Sequence, residues 1–404
     1  MKLVMTLVVR NEADILKANL DYHLANGVDF VIVTDHGSDD GTSEILHEYE
    51  RARVAKVVRD EQERAHHQSR RMTRMAEIAR CEHGANWVIN NDADEFWWPQ
   101  VGSLRDVFAA LPERYEQIIV SRRNFRPLVP TFEGDPKDPF YKRLIYREAD
   151  SPSIADLPKV AHRPRAGVVV APGNHSIVSA GLPAVPANGL LEIFHFPMRS
   201  YEQFERKVIQ IGLGYELLTD RSPGVGYVQL DLLKLHREGR LREYYNALAL
   251  DPDALLTGLQ AGTIVCDRRL SDFMRDLPLD PSSPRPEAPF AREMLDGMMG
   301  ALVALEDERE ATVRWRAEAE DLTSRVTHLQ ATTVELTADL NEAHNALHLL
   351  RTSRLMRSTA WVRRLYYRAR KPSEPDEPTQ PKHPASGESD GAGLPYSDCS
   401  GSSA

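Results

Sequence analysis

Residues 87–96 read WVINNDADEF. A β-prone run passes without a break into Asp92, Asp94 and Glu95, so a buried strand ends in three carboxylates. The same arrangement recurs on the amino-terminal side. Leu3–Val9 (LVMTLVV) has the pattern of a buried strand and is stopped by Arg10-Asn11-Glu12. Residues 12–24 then show helical spacing at Ile15, Leu16, Ala18 and Leu20, with Asn26-Gly27 as the stop. Residues 30–34 (FVIVT) form the next strand and lead into Asp35-His36-Gly37-Ser38-Asp39-Asp40-Gly41-Thr42. Residues 54–58 give a third strand, and a helical stretch follows. Strands that alternate with helices predict an α/β domain with a mostly parallel sheet, whose ligands gather at the carboxyl ends of strands. Each of these polar clusters falls at such an end.

Two common phosphate cradles are excluded, because neither GxGxxG nor GxxxxGK[ST] follows any strand. An acidic DxD stands in their place. Two carboxylates one residue apart repel a diphosphate, but they can hold a hard divalent cation that keeps positions for phosphate oxygens. By itself the triplet is equally compatible with a helix cap or a solvated loop.

RNEADIL at 10–16, VTDHGSDDGT at 33–42 and NNDADEF at 90–96 resemble, in order and spacing, the nucleotide-sugar half of GT-A glycosyltransferases, above all the family-2-like proteins. The likeness covers the first hundred or so residues and continues weakly in LEIFHFPMRSYEQFERK at 191–207. It implies a Rossmann-like GT-A catalytic domain that takes a nucleoside-diphosphate sugar together with Mn²⁺ or Mg²⁺. Carried over by position, it sets Arg10, Asn11 and Glu12 along the nucleoside and Asp35 on the base or ribose. His36 departs from the second aspartate of the usual DDGS form and leaves base preference open. Arg64, His67, Gln68 and Arg71 fall where a nucleotide-facing side chain belongs. Asp94 would bind the metal directly, with Asp92 on the ribose, on a metal-bound water or in the metal site itself. Gly37, Ser38, Asp40 and Gly41 look like the turn after the second strand, and Thr42 like a helix N-cap contributing about 1 kcal/mol.

The remaining candidates are more dispersed. His195 follows the apolar residues 191–194 and, by the same resemblance, would complete the metal site, since neutral imidazole suits Mn²⁺. His162 and His175 compete for that role. A base for the acceptor hydroxyl must lie opposite the leaving diphosphate. Glu95, Glu133, Asp135, Asp138 and Asp156 qualify by type, and Asp135 and Asp138 stand slightly ahead because FEGDPKDP reads as a loop. Lys142 and Arg143 are candidates to neutralise the leaving group, or plain surface cations. Phe96, Trp97 and Trp98 cannot all face one core; at least two pack inside, and one could stack on a sugar ring.

The 404 residues exceed what one core usually serves, and composition divides them. With 42% hydrophobic and 27% charged residues the chain is globular on average. A net charge of −10 argues against a nucleic-acid partner. Cys81, Cys266 and Cys399 form no CxxC pair, which excludes a disulfide framework or zinc-thiolate site and suits a reducing compartment. No apolar run is long enough to span a membrane, and no signal peptide opens the chain, so a cytoplasmic location is expected.

Residues 1–275 are read as the GT-A domain and 276–290, with five prolines in fifteen residues, as a linker. Residues 291–350 contain no proline, and from Trp315 through Ala319, Leu322, Val326, Leu329, Thr333, Leu336, Leu340, Ala343, Leu347 and Leu350 the steps alternate between four and three. That 3.5-residue period predicts a coiled coil, hence a homodimer, or else a single helix folded back on the domain. Residues 351–371 carry eight basic and no acidic residues with an apolar stripe, the make-up of an amphipathic helix for an anionic membrane surface. Residues 372–404 are expected to be disordered.

The function expected is transfer of a sugar from a nucleoside-diphosphate sugar to a glycan, lipid-linked or other envelope acceptor at the inner face of the cell membrane. The alternatives are a metal-dependent nucleotidyl- or phosphotransferase, and a coiled-coil scaffold bearing an inactive domain.

Overall fold

Along LVMTLVV, Leu3, Met5, Leu7 and Val9 face one hydrophobic core and Val4 faces another. A strand buried on both faces belongs in the middle of a sheet covered by helices. A computed structural model describes residues 1–59, 67–129, 135, 137–149, 157–178, 184–187, 189–218, 226–277, 290–352 and 364. It places this strand, β1 (Leu3–Val9), at the heart of the fold. α1 (Leu16–Ala25), β2 (Phe30–Asp35), α2 (Thr42–Arg51), β3 (Ala55–Arg59), α3 (Gln68–Cys81) and β4 (Trp87–Asn91) follow in strict alternation. β1 pairs in parallel with both β2 and β4, and β2 with β3. α3 covers one face of the sheet through Met72, Met75, Ala76 and Ala79.

After β4 come β5 (Glu95–Pro99), α4 (Leu104–Ala110), β6 (Gln117–Val120), β7 (Arg122–Asn124), α5 (Phe140–Arg143), β8 (Tyr146–Glu148) and β9 (Lys159–His162). β10 (Val169–Val170), β11 (Ile177–Val178), β12 (Ala184–Pro186) and β13 (Leu191–His195) complete this part. The central sheet has seven strands in the order β12-β6-β9-β4-β1-β2-β3. Only β9 runs against its neighbours in this sheet. A second sheet, β5-β13-β7, sets His195 opposite Glu95 on one side and opposite Asn124 on the other. The fold is therefore the mixed α/β class, with a mostly parallel sheet, that the strand pattern predicts.

Local details differ from expectation for identifiable reasons. α1 starts at Leu16, not at residue 12, because the Glu12 carbonyl accepts from the N–H groups of Ile15 and Leu16 in a turn that Asn11 enters at φ 57°. Thr42 is not an N-cap. Gly41, at φ 98°, holds that position, and Thr42 Oγ1 instead accepts from Glu12 N–H at 2.9 Å and donates to Asp40 Oδ1 at 2.6 Å. Phe96 and Trp97 are both fully buried. Trp98 stacks on Phe194 with ring centroids 5.0 Å apart, so all three aromatics serve packing.

α6 (Tyr201–Glu216) and α7 (Tyr227–Arg237) pack closely, then α8 (Leu241–Leu248), α9 (Pro252–Ala261), β14 (Ile264–Cys266) and α10 (Arg269–Arg275) lead to α11 (Phe290–Thr352). The chain divides into two compact units, Met1–Val313 and Arg314–Ala404. The first thus runs well past residue 275, because Leu295, Met299 and Leu302, spaced at four and three, enter its main core. In the second unit the helix leaves Trp315, Leu322, Val326, Leu329, Leu336, Leu340, Leu347 and Leu350 exposed. Most of the Pro-rich linker and of the basic segment 351–371, and all of the tail 372–404, lie outside the described residues. Among the described residues no helix is long and apolar enough to cross a membrane.

Candidate active site

The turn between β4 and β5 carries the acidic triplet, and buried asparagines fasten it from below. Asn90 accepts from Thr6 Oγ1 at 3.2 Å and donates to the Val160 carbonyl at 3.1 Å. Asn91 donates to the Glu95 carbonyl at 3.2 Å, and its Oδ1 accepts from the Trp97 indole N–H at 3.1 Å. Asn19 of α1 donates to the carbonyls of Ala93 and Glu95 at 3.0 and 2.7 Å. Buried amides that satisfy one another in this way rigidify the backbone that presents the carboxylates.

The two aspartates point to different partners. Asp92 Oδ1 accepts from Gln68 Nε2 and Asn174 Nδ2, each at 3.1 Å, while Oδ2 is paired with the Lys159 ammonium. Asp94 Oδ2 receives Lys207 Nζ at 2.5 Å and lies 3.7 Å from His195 Nε2. Burial alone would raise the Asp94 pKa, but Lys207, then His195 and Arg199, hold it well below the usual carboxylate range. Lys207 also lies 3.6 Å from Glu12 Oε1, and Arg199 joins Glu12 Oε2 at 2.5 Å to Asp14 at 2.6 Å. Burial pushes the Glu12 carboxyl up against the pull of Lys207 and Arg199. The result is an alternating array of three carboxylates and two cations.

His195 is anchored on both sides. Its Nδ1 lies 2.7 Å from Asn124 Oδ1, and its Nε2 faces Asp94 Oδ2 at 3.7 Å. Burial pushes the imidazole down to about 4, which keeps it neutral at pH 7. A carboxylate beside a neutral imidazole whose other nitrogen is anchored is a donor pair suited to Mn²⁺ or Mg²⁺. Among the described residues no three His, Cys, Asp or Glu side chains converge, so a cation held at this pair would need substrate oxygens and water to complete its shell.

These groups open into a cavity of about 630 Å³. Arg10, Glu12, His36, Gln68, Asp92, Asp94, Arg122, His195 and Lys207 line its charged end. Several sequence candidates lie elsewhere. Asn11 and Asp35 are consumed by the turn after β2. Asn11 Oδ1 accepts from Asp39 N–H at 2.8 Å, and Asp35 accepts from Ser38 N–H and from the Ser38 and Ser43 hydroxyls. Arg71 is buried on α3 and does not line the cavity. Neither does Glu95, which is fully buried 3.1 Å from Lys159 and pushed up to about 7 by burial. Asp135 and Asp138 are outside the lining too, and Asp138 pairs at the surface with Lys142 at 3.5 Å. Arg143 donates to the Asp138 carbonyl. His162 is buried in β9 and His175 lines the cavity. Arg64, Glu133 and Asp156 lie outside the described residues.

Sequence reasoning misses Lys207, Arg199, Lys159 and Asn174. A signal existed for the first: within α6, Lys207 is the sole cation on the face that continues through Phe204, Val208 and Ile211.

A model of Glycosyltransferase family 92 matches residues 5–180, which include Asp92, Asp94, Lys159 and Asn174. That match supports a glycosyltransferase. Solved structures similar to this chain include S. aureus TarS residues 1–349, at 14% identity and a TM-score of 0.32 over 68% of this chain and 91% of that one. The same protein in complex with UDP-GlcNAc aligns at 13% identity and 0.31, over 68% and 92%. Mycobacterium tuberculosis glucosyl-3-phosphoglycerate synthase, in complex with Mn²⁺, UDP and glucosyl-3-phosphoglycerate, aligns at 19% identity and 0.24, over 30% and 44%. No curated protein matches the chain.

Proposed function

We propose that the chain is a metal-dependent glycosyltransferase that moves a sugar from a nucleoside diphosphate to an acceptor hydroxyl in the Asp94 cavity. The observation that carries this reading is the meeting of Asp94, His195 and Lys207 at the carboxyl edge of the sheet, supplied by three distant parts of the chain. Asp94 and His195 would hold Mn²⁺ or Mg²⁺, which, when bound, screens the negative charge of the diphosphate. Lys207, beside Asp94, neutralises charge that develops on the diphosphate as the bond from its oxygen to the anomeric carbon breaks. Arg10 and Arg122 offer two further cations at this end of the cavity. Arg199 holds Glu12 in place, and Lys159, Gln68 and Asn174 hold Asp92 toward the ribose. The anomeric carbon then bonds to the acceptor oxygen, whose proton leaves to a base. Glu95, Asp135 and Asp138 all stand outside the cavity lining.

The exposed apolar register over residues 315–350 supports self-association, and the basic composition of 351–371 supports an anionic membrane as the place of work. A screen of nucleotide sugars for Mn²⁺-dependent release of nucleoside diphosphate tests the reading. Asp94→Asn keeps shape and removes charge, and should lower turnover by roughly 10²- to 10³-fold with the fold intact. Undiminished turnover in EDTA would overturn the metal assignment. A panel that yields no nucleoside diphosphate would overturn the activity.

A further inference from the structure

The cavity does not end at its charged groups. Beyond Lys207 the lining continues along α6 through Val208, Ile211 and Tyr215 and onto the start of α7 with Tyr227, Val228 and Leu232. From Lys207 to Tyr215 this face spans two helical turns, about 12 Å at 1.5 Å per residue. Glycines set the separation of the two helices. A Cβ on Gly212 would lie 2.7 Å from Leu233 Cβ, and one on Gly226 would lie 2.5 Å from the Tyr215 ring.

Past Lys207 the lining on these two helices has no charged side chain. Its polar groups are Gln210, Gln229 and the tyrosine hydroxyls. Among the described residues the lining stays open, with Tyr227 63%, Val228 42% and Leu157 52% exposed. A compact apolar ligand would be wrapped. An open apolar track that begins at a reactive centre fits a molecule with its hydroxyl at one end and a hydrocarbon body continuing outward.

We infer that the acceptor is lipid-like, with its hydroxyl beside Asp94 and Lys207 and its hydrocarbon lying along the apolar surface that α6 and α7 share, past Ile211 and Val228. This assignment rests on the proposed glycosyltransferase reading and names the acceptor class for the same site.

Isothermal titration of the full-length protein with methyl, n-butyl and n-octyl β-D-glucosides, each below its critical micelle concentration, tests it. Benzyl β-D-glucoside and cellotriose complete the set. Burial of a methylene is worth about a four-fold gain in affinity, so affinity should climb along the alkyl series, by roughly ten-fold if two added methylenes are buried and up to about 10⁴-fold if all are. Ile211→Asp and Val228→Asp should abolish the climb. Leu213→Asp, on an exposed position of α6 outside the cavity lining, should retain it and shows that the helix tolerates the charge. Cellotriose binding as tightly as the octyl compound would overturn the inference in favour of a glycan acceptor. Benzyl glucoside matching the octyl compound would overturn it in favour of a compact aryl acceptor, and a flat alkyl series would remove the apolar arm altogether. Titration of nucleoside diphosphates with Mn²⁺ reads the charged end separately. Failure there with the alkyl climb intact tells against the glycosyltransferase reading, whereas a flat series with nucleotide binding intact tells against the lipid-like acceptor alone.

Discussion

Lys207 Nζ lies 2.5 Å from Asp94 Oδ2, across 113 residues of sequence, and the same ammonium reaches Glu12 at 3.6 Å. Burial alone would favour the uncharged amine, but Asp94 and then Glu12 hold the proton on Lys207. Asp94 therefore already has a cation supplied by the chain, and a divalent ion would have to share its oxygen. Lys207→Gln removes that competitor. Mn²⁺ affinity without nucleotide should rise by about ten-fold, a modest share of the roughly 4 kcal/mol between unit charges 4 Å apart at an effective dielectric of 20. Turnover with a nucleotide sugar should fall by about 10²-fold, as one donor to the leaving group is lost. Manganese titration by electron paramagnetic resonance, beside steady-state kinetics, reads both. Unchanged manganese affinity would show that Lys207 does not contend for Asp94.

The pairing of β7 with β13 sets Asn124 beside His195, and Asn124 Oδ1 fixes the ring at 2.7 Å. Asn124→Ala should weaken manganese binding by about 10- to 100-fold through loss of ring orientation, while the β13 backbone is unaffected. Asn124→Asp keeps the acceptor and should recover most of the affinity. Equal affinity in all three proteins would mean that packing alone orients His195.

How much of this was legible in the sequence depends on the range of the interaction. LVMTLVV and WVINN carry their strand character locally, and a polar cluster directly after a strand must lie at the sheet's carboxyl edge, so Arg10, Glu12, Asp92 and Asp94 could be placed by pattern. Asn11 and Asp35 were placed at the right edge, but their side chains close the turn after β2, a partnership that one-dimensional pattern does not encode. Glu95 illustrates a second limit. Asp94 closes the turn and Glu95 opens β5, so a carboxylate beside Asp94 can be sealed against Lys159. Lys207 and Lys159 became visible only once β9 and α6 were folded against the DAD turn.

A buried neutral histidine makes stability fall on acidification. His23 is fully buried; its Nδ1 donates to the Asn19 carbonyl at 2.8 Å and its Nε2 accepts from Trp97 N–H at 3.2 Å. Burial pushes it from 6.5 down to about 4. Between those values the unfolded chain binds the proton and the folded chain does not, so this contribution is fully present above pH 6.5 and is lost as pH falls toward 4. The loss amounts to about 3 kcal/mol over the interval, at about 1.4 kcal/mol per pKa unit. Glu95, pushed up from 4.5 to about 7, acts in the opposite sense over much of the same range. A comparison with His23→Gln isolates the histidine. Urea unfolding from pH 7 to pH 4.5 should show a shallower pH dependence in the variant. Parallel curves for the two proteins would remove His23 as the source.

The second unit makes its own prediction. Eight apolar residues of its helix, among them Leu322, Leu329, Leu336 and Leu340 at seven-residue or neighbouring heptad positions, are 47–70% exposed. A helix with an apolar stripe of this length gains little from water and much from a copy of itself, since each fully buried leucine is worth roughly 1.5–3 kcal/mol. Full-length protein should therefore be at least dimeric by multi-angle light scattering at micromolar concentration. Leu322→Lys combined with Leu329→Lys sets like charges into consecutive d positions and should return a monomer, with the first unit still folded by circular dichroism. The apolar stripe of the first part of α11 should not respond to these changes, because Leu295, Met299 and Leu302 are already covered within the first unit. A monomeric parent protein would mean that residues 315–350 meet a different partner, and an oligomeric double variant would place the association surface elsewhere on the chain.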